Sequence, residues 1–258
     1  MSQASIQVGA SPQVQYLLRI ADSCLILGQR LGEWCGHGPI LEEDLALANM
    51  ALDLIGQARA LLTHAAHLDG QGHDEDQLAF LREERQYLNP VLMELPRGDF
   101  AFTQVRNFAV ATWLQLLWGR LASSSDAEVA AIAAKAVKES RYHQQHAADW
   151  VVRLGDGTDE SAARMREALA QLWPLFNELF DADAVDASAV AQGLGPAWSE
   201  LRADWQAQMD EVLADATLAH PKPSAYVSAG RRGVHSEHMG HLLAEMQYLQ
   251  RAYPGGKW

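Results

Sequence analysis

His143 is the residue in this chain most suited by type and spacing to metal or proton chemistry. It lies in the run Lys135-Ala-Val-Lys-Glu-Ser-Arg-Tyr-His-Gln-Gln-His146, with Glu139 four residues before it and His146 three after. On a helix either spacing brings two side chains to one face, and a carboxylate and an imidazole so placed are donors for iron or zinc. A metal-sharing Glu-x-x-His pair, however, needs a carboxylate three residues before the histidine. Ser140 stands there, and a serine hydroxyl cannot replace a bridging carboxylate. The expectation for both pairs is therefore that one member packs and the other is solvated. His235, His238 and His241 follow one another at i, i+3 and i+6 with Glu237 beside them. Three such histidines could approach zinc, but a zinc site also needs a closing ligand and hydrogen bonds that orient the rings, so packing or interface contacts are expected. Arg82-Glu-Glu-Arg85 reads as a solvated face. No glycine-rich phosphate loop, nucleophile elbow, Ser-His-Asp arrangement or CxxC occurs.

The elements that must carry these residues are helical. No stretch shows sustained period-two alternation with β-branched enrichment. A first helix is expected from about Pro12 to Cys35, with Ser11 as its cap and Gly36-His-Gly-Pro39 ending it. A second runs from about Leu41 to Leu68, opening with Glu42, Glu43 and Asp44 against the helix dipole. It carries two apolar stripes, Leu45, Ala48, Leu52, Ile55 and Ala51, Leu54, Ala58, Leu61. A helix apolar on two sides is expected to be largely buried. A short helix follows at about Asp76–Leu88, a third long one at about Phe100–Ala122, and a fourth at about Ala127–Leu154. Further helices are expected near Asp159–Phe180, Pro196–Leu218 and His235–Tyr253, with Asp181–Gly195 as a loop. Four long helices with short connections followed by shorter ones give an all-α chain. The expected organisation is one domain over residues 1–258, a core bundle at about 12–154 and peripheral helices at about 159–253. Trp113, Trp118, Trp150 and Trp173 fall in apolar stretches and read as core, or as anchors for a partner.

The 258 residues suffice for a full core, and 48% of them are hydrophobic. A formal net charge of −13 argues against nucleic acid and anionic membranes as general partners. The start, Met-Ser-Gln-Ala-Ser-Ile-Gln-Val-Gly-Ala, lacks a basic and an apolar region and does not read as a signal peptide. No membrane span is expected, because no run of about 18 apolar residues occurs. Cys24 and Cys35 would lie roughly 16 Å apart along one helix, too far for a disulfide. A reducing, cytoplasmic setting is the default expectation.

Five stretches carry a resemblance to a known family. They are Gln29-Arg-Leu-Gly-Glu-Trp-Cys-Gly-His37, Asp44-Leu-Ala-Leu-Ala-Asn49 with Leu52-Asp-Leu-Ile-Gly-Gln-Ala-Arg59, Ala136-Val-Lys-Glu-Ser-Arg-Tyr-His143, Glu178-Leu-Phe-Asp-Ala-Asp183, and His235-Ser-Glu-His-Met-Gly with Leu243-Ala-Glu-Met-Gln-Tyr-Leu-Gln-Arg251. The chain closely resembles the C-subunit family of bacterial 1,2-phenylacetyl-CoA epoxidases, multicomponent oxygenases of phenylacetate catabolism. The resemblance implies a ferritin-like four-helix bundle with additional C-terminal helices. It implies a structural subunit in stable contact with a homologous catalytic partner, the A-subunit, which carries the di-iron centre and epoxidises the ring. Electrons from the NADPH-dependent reductase would reach that partner, so the reductase is an indirect partner of this chain. No cofactor and no catalytic residue are implied here, and a homo-oligomer is an expectation for the isolated chain.

Matching the helices to the family's di-iron pattern places its ligand positions residue by residue. The second helix would hold them at Leu54 and Gln57, the third near Ala111, the fourth at Ser140 and His143, and the first at Glu33. Leu54 and Ala111 have no donor, and Gln57 and Ser140 offer only neutral ones, so no metal is expected. Glu33, Gln57 and His143 are expected to meet in the bundle interior as a hydrogen-bonded network, with Asp53 beside them. The alternatives are an independent ferritin-like di-iron enzyme or iron-binding protein, and an unrelated helical interaction protein.

Overall fold

A computed structural model describes residues 5–256; the first four residues of the start read for targeting signals lie outside the described residues. The chain is all-α. Among the described residues the only β-type pairing is an isolated bridge between Ala229 and Val234. Two compact units form, one from Met1–Pro96 with Ser228–Trp258 and the other from Arg97–Val227.

The first unit is built on α1 (Pro12–Gly32) and α2 (Leu41–Asp69). Ser11 accepts from the Val14 amide and Pro12 opens the helix, as its missing N–H allows. Gly70, at φ 67°, closes α2 in the left-handed region. The two helices are antiparallel, Cys24 facing Gln57 and Gly28 facing Ala51, Leu54 and Ile55. A Cβ on Gly28 would sit 3.0 Å from Ile55 Cγ1 and 3.2 Å from the Ala51 carbonyl, so glycine sets how closely the helices approach. From Val14 to Leu31 α1 is buried on every side except at Gln15 and Gln29.

In α2 the outcome differs from the expectation. The Ala51, Leu54, Ala58, Leu61 stripe is buried. The Leu45, Ala48, Leu52, Ile55 stripe is not, with Leu45 and Leu52 exposed and Ala48 and Ile55 half-buried. Periodicity reports where apolar side chains lie on a helix, not which surface covers them. With two apolar sides, α2 is by length and composition long and apolar enough to cross a bilayer, although the sequence reading expected no such segment; 44% of its most apolar window is buried. A core helix passes the same test.

The remainder of the first unit is short pieces. The expected helix at 76–88 is replaced by α3 (Glu75–Phe80) and a 3₁₀ turn at Glu84–Gln86, and α4 (Val91–Glu94) follows. The second unit contains α5 (Phe100–Leu121) and α6 (Ala127–Gly155), antiparallel, with Phe100 at the start of one edge-on to Trp150 near the end of the other. Against them pack α7 (Asp159–Leu172), continued as a 3₁₀ stretch through Pro174, and α9 (Arg202–Asp215). Trp205 donates to the Ala109 carbonyl of α5 at 2.8 Å. Residues 184–191, read as loop, form α8 (Ala184–Ala191). The missed signal was the capping box of Asp183 and Asp186, each accepting from the other's end of the first turn. Trp113 and Trp118 are fully buried, and Trp150 and Trp173 half-buried. In the first unit α10 (Glu237–Met246) lies against α4 and the 3₁₀ turn, followed by α11 (Tyr248–Ala252).

Candidate functional site

The positions singled out for metal chemistry are set by three of the long helices and the end of a fourth. On α2, Leu54 is buried and presents only carbon. Gln57 is buried, and its Oε1 accepts from Cys24 Sγ at 3.6 Å. Glu33 does not enter the interior. It is the C-cap residue of α1, exposed, with its carboxylate bound to Arg30 at 2.5 Å. The residues from Cys24 to Glu33 rise along α1 by roughly 13 Å, so Glu33 cannot share a site with Gln57. Glu33 and Gln57 therefore do not meet as expected. The cause is the helix end: α1 stops at Gly32, and Glu33, one residue beyond it, is exposed while pairing with Arg30.

On α5 Ala111 is buried; on α6 Ser140 and His143 are buried one turn apart. Tyr142 is exposed, and its ring lies 6.2 Å from that of His143 and 6.1 Å from that of His146. Glu139 is half-buried and pairs with the exposed Lys135, 3.4 Å away. Among the described residues no group of three His, Cys, Asp or Glu side chains is arranged to hold a metal ion. The donor set does not fit a di-iron centre, because two positions carry no heteroatom, one carries a hydroxyl, and the one matched carboxylate faces solvent.

The strongest polar arrangements lie elsewhere in the first unit, and sequence reading missed them. Glu94, at the end of α4, has its side chain fully enclosed together with that of His235. His235 Nδ1 meets Glu94 Oε2 at 2.7 Å, and Nε2 meets the Tyr87 carbonyl at 2.9 Å. Glu94 also accepts from the Ser236 amide at 2.6 Å and from Asn89 Nδ2 at 3.0 Å. Arg30 donates to the Glu94 carbonyl through Nε and Nη2. Nε2 faces a backbone carbonyl, which can only accept, so Nε2 carries a proton, and Nδ1 shares a proton with the Glu94 carboxylate. Burial alone would lower the His235 pKa, but the Glu94 hydrogen bond and charge outweigh that and hold it above the ordinary imidazole value. The expected histidine series thus divides: His235 precedes α10 and is clasped by Glu94, His238 is half-buried and His241 exposed.

A second pair joins α1 to the segment after α3. Arg82, read as part of a solvated face, is buried, while Glu83, Glu84 and Arg85 are exposed. Arg82 pairs with Asp22 through both terminal nitrogens, and Asp22 also accepts from the Leu88 amide at 2.8 Å. The guanidinium lies 4.2 Å over the Tyr87 ring. Burial pushes the Tyr87 hydroxyl up to about 12, against the opposing charge of Arg82; that hydroxyl donates to the Ala79 carbonyl at 2.6 Å. The partner of Arg82 is 60 residues away in sequence, so local pattern carries no sign of it.

These groups brace backbone and present no open reactive face. Against that geometry, the family model for phenylacetic acid catabolic proteins matches residues 1–258. The chain belongs to that family. It is also 51% identical over 243 residues to the C-subunit of 1,2-phenylacetyl-CoA epoxidase from Escherichia coli (strain K12), an alignment covering 94% of this chain and 98% of that protein. Membership in the phenylacetic acid catabolic family extends over the elements described here, from α1 to the Glu94–His235 clasp and α11.

Proposed function

We propose that this chain is a structural subunit of a phenylacetyl-CoA epoxidase, holding a homologous di-iron catalytic subunit in its working conformation and performing no chemical step itself. In this reading it is a ferritin-like bundle whose metal positions have become packing positions, and it works in the cytoplasm. The reading is supported chiefly by Leu54, Ala111 and Ser140 at three of the positions where a di-iron protein needs donors, in a chain similar over nearly its whole length to an epoxidase C-subunit. A catalytic bundle must keep its ligand helices in place, since a displacement of about 1 Å can cost orders of magnitude in rate. A related bundle packed against it supplies that rigidity without chemistry. The contact is expected to bury more than about 2,000 Å², as permanent complexes do.

The test is reconstitution. By itself the catalytic subunit should turn over phenylacetyl-CoA poorly or be poorly soluble, and adding this chain should restore activity. Full activity of the catalytic subunit without this chain would overturn the proposal. So would about two irons per chain in the purified protein, which would favour an independent di-iron enzyme.

A further inference from the structure

Leu41, Leu45 and Leu52 project from one side of α2 and are 71%, 56% and 66% exposed. Ala48 and Ile55, half-buried, lie in the same line, Ile55 at its edge against Gly28 of α1. The order Leu41, Leu45, Ala48, Leu52, Ile55 advances by four, three, four and three residues. That alternation is the a/d seam of a coiled coil, in which each side chain is a knob for the facing helix. It runs for roughly 21 Å and stops at Arg59, which is engaged with Glu75. The opposite side of α2 is already buried. The chain therefore carries two helix-packing seams on one helix and covers one of them. A contiguous apolar surface of this kind on a soluble protein marks an interface.

We propose that the exposed seam of α2 seats a helix of the catalytic partner, apolar along its contact line and flanked by Lys or Arg. The inference rests on the proposed role in a complex and names the surface that role uses. The 3–4 spacing selects a helix as occupant, since a lipid surface would need only apolar area. Glu42 and Asp44 border the Leu41 end at the positions that flank an a/d seam. With a net charge of −13, that acidic border disfavours a second copy of this chain and an anionic bilayer, and attracts a basic flank. Beside the seam, Gly56 has open space where a Cβ would stand, which lets a partner backbone come close.

The experiment compares the wild-type chain with Leu45→Lys/Leu52→Lys and Leu45→Ala/Leu52→Ala, each mixed with the catalytic subunit. Association is followed by calorimetry and by light scattering after size exclusion. Both replacements keep helix propensity at exposed positions, so circular dichroism and the melting temperature of the isolated chain should not change. The lysine variant should bind its partner at least about 100-fold more weakly, as expected when two central anchors are lost, and the alanine variant should fall between. Glu42→Lys/Asp44→Lys should weaken binding less and flatten its salt dependence. Wild-type affinity in the lysine and alanine variants would overturn the inference and leave the proposed function standing. No complex with the wild-type chain would overturn both. Loss only of self-association would assign the face to a second copy, and wild-type flotation with phosphatidylglycerol vesicles, abolished in the lysine variant, would assign it to a membrane; either result would overturn the proposal.

Discussion

Replacing His235 with leucine tests whether the C-terminal segment is held by a buried charge pair. In the wild type, Glu94 accepts from His235 Nδ1, the Ser236 amide and Asn89 Nδ2 at 2.7, 2.6 and 3.0 Å. Leucine leaves the two neutral donors and removes the only cation among them. Stranding one member of a buried ion pair typically costs about 3–5 kcal/mol. Because Glu94 lies in α4 and His235 just before α10, the loss falls on the docking of residues 228–256. Amide exchange there should quicken by roughly 100- to 4,000-fold, given about 1.4 kcal/mol per factor of ten, while α5 and α6 should keep their protection. The effect must also depend on pH. The folded pKa of His235 is raised, so its stabilisation is complete below the unfolded imidazole value, about 6.5, and is lost as pH rises through the folded pKa. The stability gap between wild type and His235→Leu, read from urea midpoints, should be widest near pH 6 and shrink in alkaline buffer. A gap that is constant from pH 6 to pH 9, or that widens, would refute the imidazolium assignment. A ring nitrogen spectrum showing neutral His235 at pH 6 would do the same.

Other outcomes follow from the same geometry. Arg82→Met should destabilise by about 3–5 kcal/mol, since Asp22 is left buried without its cation; Asp22→Leu/Arg82→Met should recover most of that loss in thermal melts. Gly233→Ala should lower the melting temperature and loosen residues 228–236, because φ is +73° and the added Cβ would fall 2.2 Å from the Arg85 carbonyl. His143→Ala should cost about 1–3 kcal/mol, as a lost buried polar partner does, yet leave turnover of the reconstituted complex unchanged once corrected for the amount of complex formed. A thousandfold drop in that corrected rate would give His143 a chemical role.

The helical class and the long elements were readable because their causes are local. Ser11-Pro12, Gly70 and Asp126 mark ends through caps that act within one turn. That Leu54 and Ala111 offer no metal donor was readable for the same reason, since a leucine or an alanine lacks a heteroatom in any fold. Two elements depart from the local pattern: residues 76–88 form a short helix and a 3₁₀ turn instead of one helix, and α8 forms in an expected loop although its capping box is a local signal.

Composition and periodicity by themselves determined that this chain is all-α, strongly acidic, and supplied with a helix that is apolar on two sides. At Leu54 and Ala111, positions matched through the family resemblance, side-chain identity alone fixes that no donor atom is offered. Only the tertiary structure decided the destinations of the charges. Arg82 and Arg85 are the same residue type three positions apart, yet one is buried on Asp22 and the other is exposed. Glu33, matched to a ligand position, instead caps a helix end and is exposed, and His235 is held above the ordinary imidazole pKa because Glu94, 141 residues away, faces it. Of the two seams on α2, the fold covered one and left Leu41, Leu45 and Leu52 of the other exposed. A charge or an apolar stripe acquires its role from whatever packs against it, and that neighbour comes from a distant part of the chain.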